Sequence, residues 1–198
     1  MAERPDLPPR RAGLIRRTWR GLRTPSARWS VGALVLIGLL VGATSVIGTQ
    51  VMVAATGTNE FCGGACHSMQ WVNNEYRQSV HFSNHSAVRA ECHDCHIPHQ
   101  YPQLLVYKAK AGIKDVIGEM RGVISTEEKF NKERARMANH VWEEYKANNS
   151  ANCRTCHVFT AESIAKQKDF VQPMHQQVMA GQGTCIDCHK GVAHKAPE

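Results

Sequence analysis

The chain is short of the materials for an ordinary soluble core. Aromatic residues make up 7% of its 198 residues, and no stretch alternates apolar and polar side chains convincingly as a half-buried strand does. That argues against regular β structure. It also removes the strand–helix–strand setting in which a lone Cys-x-x-Cys acts as a thioredoxin-like redox pair. No low-complexity linker divides residues 56–198, so they read as one domain. Charge is missing altogether from Trp29 to Asn59. Excess charge is nearly missing from the rest as well. Of the formal +7, the first 28 residues supply +6, with Arg4, Arg10, Arg11, Arg16, Arg17, Arg20, Arg23 and Arg28 set against Glu3 and Asp6; residues 29–198 keep +1. The high isoelectric point is therefore no reason to expect a nucleic-acid partner.

No cysteine is left unpaired in sequence either. All eight fall in four pairs, each followed at once by a histidine. The pairs are Cys62-Gly-Gly-Ala-Cys66 before His67, Cys92-His-Asp-Cys95 before His96, Cys153-Arg-Thr-Cys156 before His157, and Cys185-Ile-Asp-Cys188 before His189. C-x-x-C-H is the attachment sequence of c-type haem: two thiols add across the porphyrin vinyl groups and the adjacent histidine reaches the iron. A zinc ribbon would use paired thiolates, and an exported chain could pair them as disulfides, but neither explains a histidine after every pair. The expectation is four covalently attached haems c. Their attachment residues are Cys62, Cys66, Cys92, Cys95, Cys153, Cys156, Cys185 and Cys188, with His67, His96, His157 and His189 as iron ligands. The first pair is irregular, with three intervening residues, and its loop is still expected to close around a haem. At about 35 residues per haem, the haems themselves should form the core.

The charge-free stretch is most apolar over Val31–Ile47. A helix needs roughly 20 apolar residues to span the hydrocarbon layer, and Val31 to about Val53 suffices. Arginines before it and none directly after place the N-terminus in the cytoplasm. A cleaved signal peptide ending at Val53-Ala-Ala55 is the alternative, but the apolar stretch and basic leader are long for one. The expected organisation is a basic leader (1–28), a single transmembrane anchor in a bacterial inner membrane (29–55) and a periplasmic haem domain (56–198). The fold class is mainly α: one N-terminal transmembrane helix plus a compact multihaem cytochrome c domain with little regular β structure. Ser125 and Glu128 are spaced for a capping box opening a helix that runs to about Ala147, where Asn148-Asn149-Ser150 stops it. A second helix from about Ala161 should be interrupted near Pro173.

Seven further histidines (His81, His85, His93, His99, His140, His175 and His194) exceed ordinary usage, and second axial ligands would account for the excess. The residues around them carry a resemblance. Ser79-Val-His81, Val88-Arg-Ala-Glu-Cys-His-Asp-Cys-His96 with Ile97-Pro-His99, Tyr145-Lys-Ala-Asn-Asn-Ser150 and, most specifically, Thr184-Cys-Ile-Asp-Cys-His-Lys-Gly-Val-Ala-His194 resemble the NapC/NirT family of membrane-anchored tetrahaem cytochromes. The chain is similar also to the small anchor subunit of cytochrome c nitrite reductase complexes. The resemblance runs from Val31 onward. It implies distal ligands at His81, His99, His175 and His194. His85, His93 and His140 are left without a role, although His140 could replace His175. Cys66-His67-Ser68-Met69 resembles the family's C-H-x-M, whose methionine can displace the histidine at the first iron. The extra loop residue leaves His67 or Met69 open, and plain packing is the other reading of Met69.

The resemblance also associates a lysine and an aspartate with a quinol pocket, here Lys108 and Asp115. Seven residues apart, they face the same way on a helix. Spacing alone serves equally well for an amphipathic helix whose lysines meet lipid phosphates. The implied function is oxidation of the membrane quinol pool and electron delivery to a periplasmic terminal reductase, nitrate reductase being the commonest family partner. Two alternatives stand beside it: reverse flow from a periplasmic dehydrogenase to quinone, and a catalytic multihaem reductase. The second lacks the Cys-x-x-Cys-Lys attachment of pentahaem nitrite reductases.

Overall fold

A computed structural model describes Gly13 and residues 28–197. The basic leader, apart from Gly13 and Arg28, lies outside the described residues. These form two compact units parted between Val51 and Met52. Every regular element among them is helical.

Helix α1 (Val31–Ala55) has 25 residues, about 37 Å at 1.5 Å per residue, and none of them is charged or buried. Its length and composition suffice to cross a membrane. Two of its hydroxyls bond back into the helix: Ser45 Oγ donates to Val41 O and Thr49 Oγ1 to Ser45 O, each at 2.8 Å. No side-chain donor of these two residues is then left to hydrocarbon.

The second unit contains α2 (Asn59–Gly64), α3 (Gln70–Tyr76), α4 (Cys92–His96), α5 (Gln103–Met120), α6 (Glu127–Ala147), α7 (Ala161–Ala165), α8 (Gln172–Met179) and α9 (Cys185–Cys188), with 3-10 turns at His67–Met69 and Cys153–Thr155. α9 packs on α6, α7 on α8, and α2 against both α3 and α4. The side-chain core is thin. Among the described residues its buried apolar members are Tyr76, Phe130, Ile164 and Ile186.

Two helix ends differ from expectation. The N-cap of α6 is Thr126, whose Oγ1 accepts from Lys129 N at 3.3 Å. Ser125 Oγ turns back and donates to Gly122 O at 3.1 Å, because the preceding turn has Gly122 at φ +61°. The helix therefore starts one residue late, with Glu127 and Glu128 facing its dipole. It stops as the polar run suggests, with Asn149 and Ser150 both left-handed (φ 55° and 51°). Pro173 does not interrupt a helix but opens one. It occupies the first turn of α8, where its missing N–H has no intrahelical partner to lose. The break falls earlier, between Ala165 and Gln172.

Candidate functional site

The four attachment segments are built in three ways. The second and fourth are short helices, α4 and α9, each opened by a capping box: Glu91 with Asp94, and Thr184 with Asp187. The aspartate inside each Cys-x-Asp-Cys is thus a helix cap. The third segment is a 3-10 turn. The first spans the end of α2 and the turn after it, so its extra residue is absorbed at a helix boundary. A side chain at Gly63 would force Asn73 to move, since an added Cβ would lie 2.5 Å from Asn73 Cγ.

No two of the eight cysteines are joined by a disulfide, and the segments touch in chain order. Cys62 and Cys92 are neighbours whose interaction lowers the Cys62 thiol and, with burial, raises Cys92, and Cys92 Sγ lies 2.9 Å from Asn59 Oδ1. Burial lifts Cys95 to about 11, with Cys153 close by, and Cys153 rises through burial with Cys185 near it. A polar residue ties each step. Asn59 Oδ1 accepts from Cys92 N at 2.7 Å, joining first to second. Asn152 Nδ2 bonds the carbonyls of Cys95 (2.9 Å) and Ile97 (2.8 Å), joining third to second. Buried Ser150 accepts from Ile186 N at 3.3 Å, joining third to fourth. Asn59, Asn152 and Ser150 were not singled out from sequence for this. Asn152 and Ser150 lie just before a cysteine pair, a position that could have flagged them.

Three attachment histidines each face a distant histidine. Ring centroids are 6.1 Å apart for His96 and His194, 6.2 Å for His157 and His81, and 5.9 Å for His189 and His175. Two imidazoles bound on opposite sides of one metal at about 2 Å have centroids roughly 6 Å apart, so these pairs fit the two axial positions of a haem iron. Two of the distal histidines have the outer nitrogen engaged as a ligand histidine requires, whereas the buried Nδ1 of His194 has no hydrogen-bond partner. His81 Nδ1 lies 3.3 Å from Val192 O, and His175 Nδ1 2.5 Å from Gln167 Oε1, leaving Nε2 free in both. Burial pushes His96 down to about 4 and lowers His194 as well, keeping both neutral, the form that binds metal.

His99 joins no such pair: its Nε2 lies 2.9 Å from Asp94 O. His93 Nδ1 is bonded to Gly57 O at 2.9 Å, and His140 Nε2 lies 3.5 Å from Glu144 Oε1. No facing histidine stands opposite His67 among the described residues. His67 is exposed beside Gln70 and Trp71, whereas Met69 is half-buried.

Helix α5 turns one face to the first segment. Lys108 and Asp115 both act on Cys62, and Asp115 and Glu119 on Cys66. Lys108 Nζ donates to Val53 O (3.0 Å) and Thr56 Oγ1 (2.8 Å), and burial lowers its pKa. Burial raises Asp115, with Lys114 pulling the other way. Glu119 Oε2 accepts from Ser68 Oγ, a bond within the first segment that the sequence did not single out.

A model of the NapC/NirT cytochrome c family, N-terminal region, matches residues 24–198. Cytochrome c-type protein NapC of Escherichia coli K12 is 44% identical over 190 residues, 96% of this chain and 94% of that protein. Cytochrome c-type protein TorC of the same strain is 46% identical over 184 residues, 93% of this chain; the chain spans about half of it, 47%. A chain of the crystal structure of the cytochrome c nitrite reductase NrfHA complex bound to the HQNO inhibitor overlaps 80% of this chain and 88% of its own length. Its TM-score is 0.47 and its identity 24%, too low to place residues of one on the other.

Proposed function

Because the chain belongs to the NapC/NirT cytochrome c family, whose members carry covalent haem c and transport electrons, we propose that it is a tetrahaem, single-pass inner-membrane cytochrome that oxidises quinol and delivers the electrons to a periplasmic reductase. Nitrate reductase comes first among the partners that the sequence resemblance suggests. Bound at these sites, haem c supplies one-electron redox chemistry. The four cysteine pairs would hold the haems, with His96, His157 and His189 as proximal ligands and His194, His81 and His175 opposite them. His67 or Met69 would serve the first, leaving it distinct.

The observation that carries the reading is the convergence of Lys108 and Asp115 on the first segment's cysteines. Quinol oxidation releases two electrons and two protons, so it needs an oxygen-binding donor and a base beside an electron acceptor. An ammonium has three donors. Lys108 uses two on Val53 and Thr56, which leaves one for a quinol oxygen. Asp115, raised by burial, is suited to take a proton at its carboxylate.

The test is anaerobic mixing of the detergent-solubilised protein with menaquinol and ubiquinol analogues, following the haem α-band. Rapid reduction, blocked by a quinol-site inhibitor, is expected. No reduction at full haem content would reverse the direction of flow or point to a protein electron donor. Delivery is checked by re-oxidation with purified periplasmic reductases, nitrate reductase first.

A further inference from the structure

We propose that Glu75 and Arg134 form a clamp that positions the segment 189–195, and through it the distal histidines His194 and His81. This rests on the ligand reading above. Arg134, on α6, meets Glu75, in the last turn of α3, through two bonds to different carboxylate oxygens: Nη2 to Oε1 at 2.6 Å and Nη1 to Oε2 at 3.0 Å. The side chains are only 17% and 11% exposed. A desolvated pair of this kind contributes little net stability, because the attraction is offset by the loss of hydration. Its remaining bonds indicate its use. Lys195 N donates to Glu75 Oε2 at 3.0 Å, and Arg134 Nη1 donates to Lys195 O at 3.1 Å. Both backbone polar groups of the residue after His194 are therefore held by the pair.

Arg134 is itself fixed before it grips. Asn131 Oδ1 accepts from its Nε (3.2 Å) and Nη2 (3.0 Å). Its guanidinium lies 4.6 Å from the centroid of the buried Phe130 ring. The segment it holds has no regular structure after α9 and no buried apolar side chain, and it turns at Gly191 with φ +77°. Yet that segment serves three sites. His189 belongs to the fourth, Val192 O holds His81 opposite His157 of the third, and His194 faces His96 of the second. Lys190 over the Trp142 ring, 4.6 Å from its centroid, ties the segment as well. A loop this short of packing depends on its polar clamp for register.

Glu75 and Arg134 are thus positioning residues, and the readout is the state of the irons. In the haem-loaded full chain, E75A and R134A should keep haem content but lose part of a low-spin electron paramagnetic resonance signal. They should also bind more carbon monoxide than the wild type when reduced, as one further opened axial position would. The double variant should be no worse than either single one, since the two act as a unit. H194A provides the reference for a lost ligand. If H194A changes both readouts while E75A and R134A match wild type in both, the clamp is refuted and the ligand reading stands. If H194A itself matches wild type, the ligand reading fails and the clamp loses its object. Should the alanine variants not accumulate with haem, R134K and E75Q, which remove the fork or the charge alone, are read by the same two signals. Wild-type spectra in both would refute the clamp.

Discussion

Asp115 is where burial and chemistry bear on a single residue. Its carboxyl is raised by burial, opposed by Lys114, among Cys62, Cys66 and Tyr107 as its other titratable neighbours. A proton acceptor must be ionised to work, so the rate of quinol-driven reduction should fall as pH drops through a value above the ordinary carboxylate pKa of about 4. D115N should slow reduction across the range, remove that acid limb and leave haem content intact; stopped-flow traces against pH decide it. An unchanged limb would remove Asp115 from proton transfer. At this scale the sequence was informative where chemistry is local. Cysteine pairs and their following histidines are adjacent residues, so no folding is needed to see them. The partner of each histidine is not local. His81 meets Val192 across 111 residues, and no spacing rule predicts that. For the same reason His99 looked equivalent to His81 in sequence, yet in the structure it bonds the carbonyl of its neighbour Asp94.

Among the elements, α1 and α6 were legible because each is long and uniformly patterned, apolar throughout or rich in helix formers. The errors sit at ends. Ser125 and Thr126 are adjacent residues able to cap, and what decides between them is Gly122, a turn away. In sequence Pro173 looks like a breaker because proline disrupts helix interiors, but the same ring is tolerated in the first turn of a helix. The cap assignment has an energetic consequence. Thr126→Ala should destabilise the haem-loaded protein by about 1 kcal/mol, more than Ser125→Ala does, as measured by denaturant unfolding. Equal losses would return the cap to Ser125.

On the scale of the whole molecule, α1 is the only described helix long and apolar enough to cross a membrane. The proposed role needs it uncleaved. The full chain should stay in carbonate-washed membranes, while residues 52–198 exported behind a cleavable signal should appear in the soluble periplasmic fraction. Release of the full chain would restore the signal-peptide reading. Under the proposed topology and ligand pairing, the facing histidines also impose a timetable. Export threads a chain from its N-terminus, so His96 emerges long before His194 and His81 long before His157. The second segment thus stays half-built until residues 190–195 have crossed. Attachment at the cysteines can follow the order of synthesis, but completion cannot, because the part of the chain delivered late finishes a site begun early.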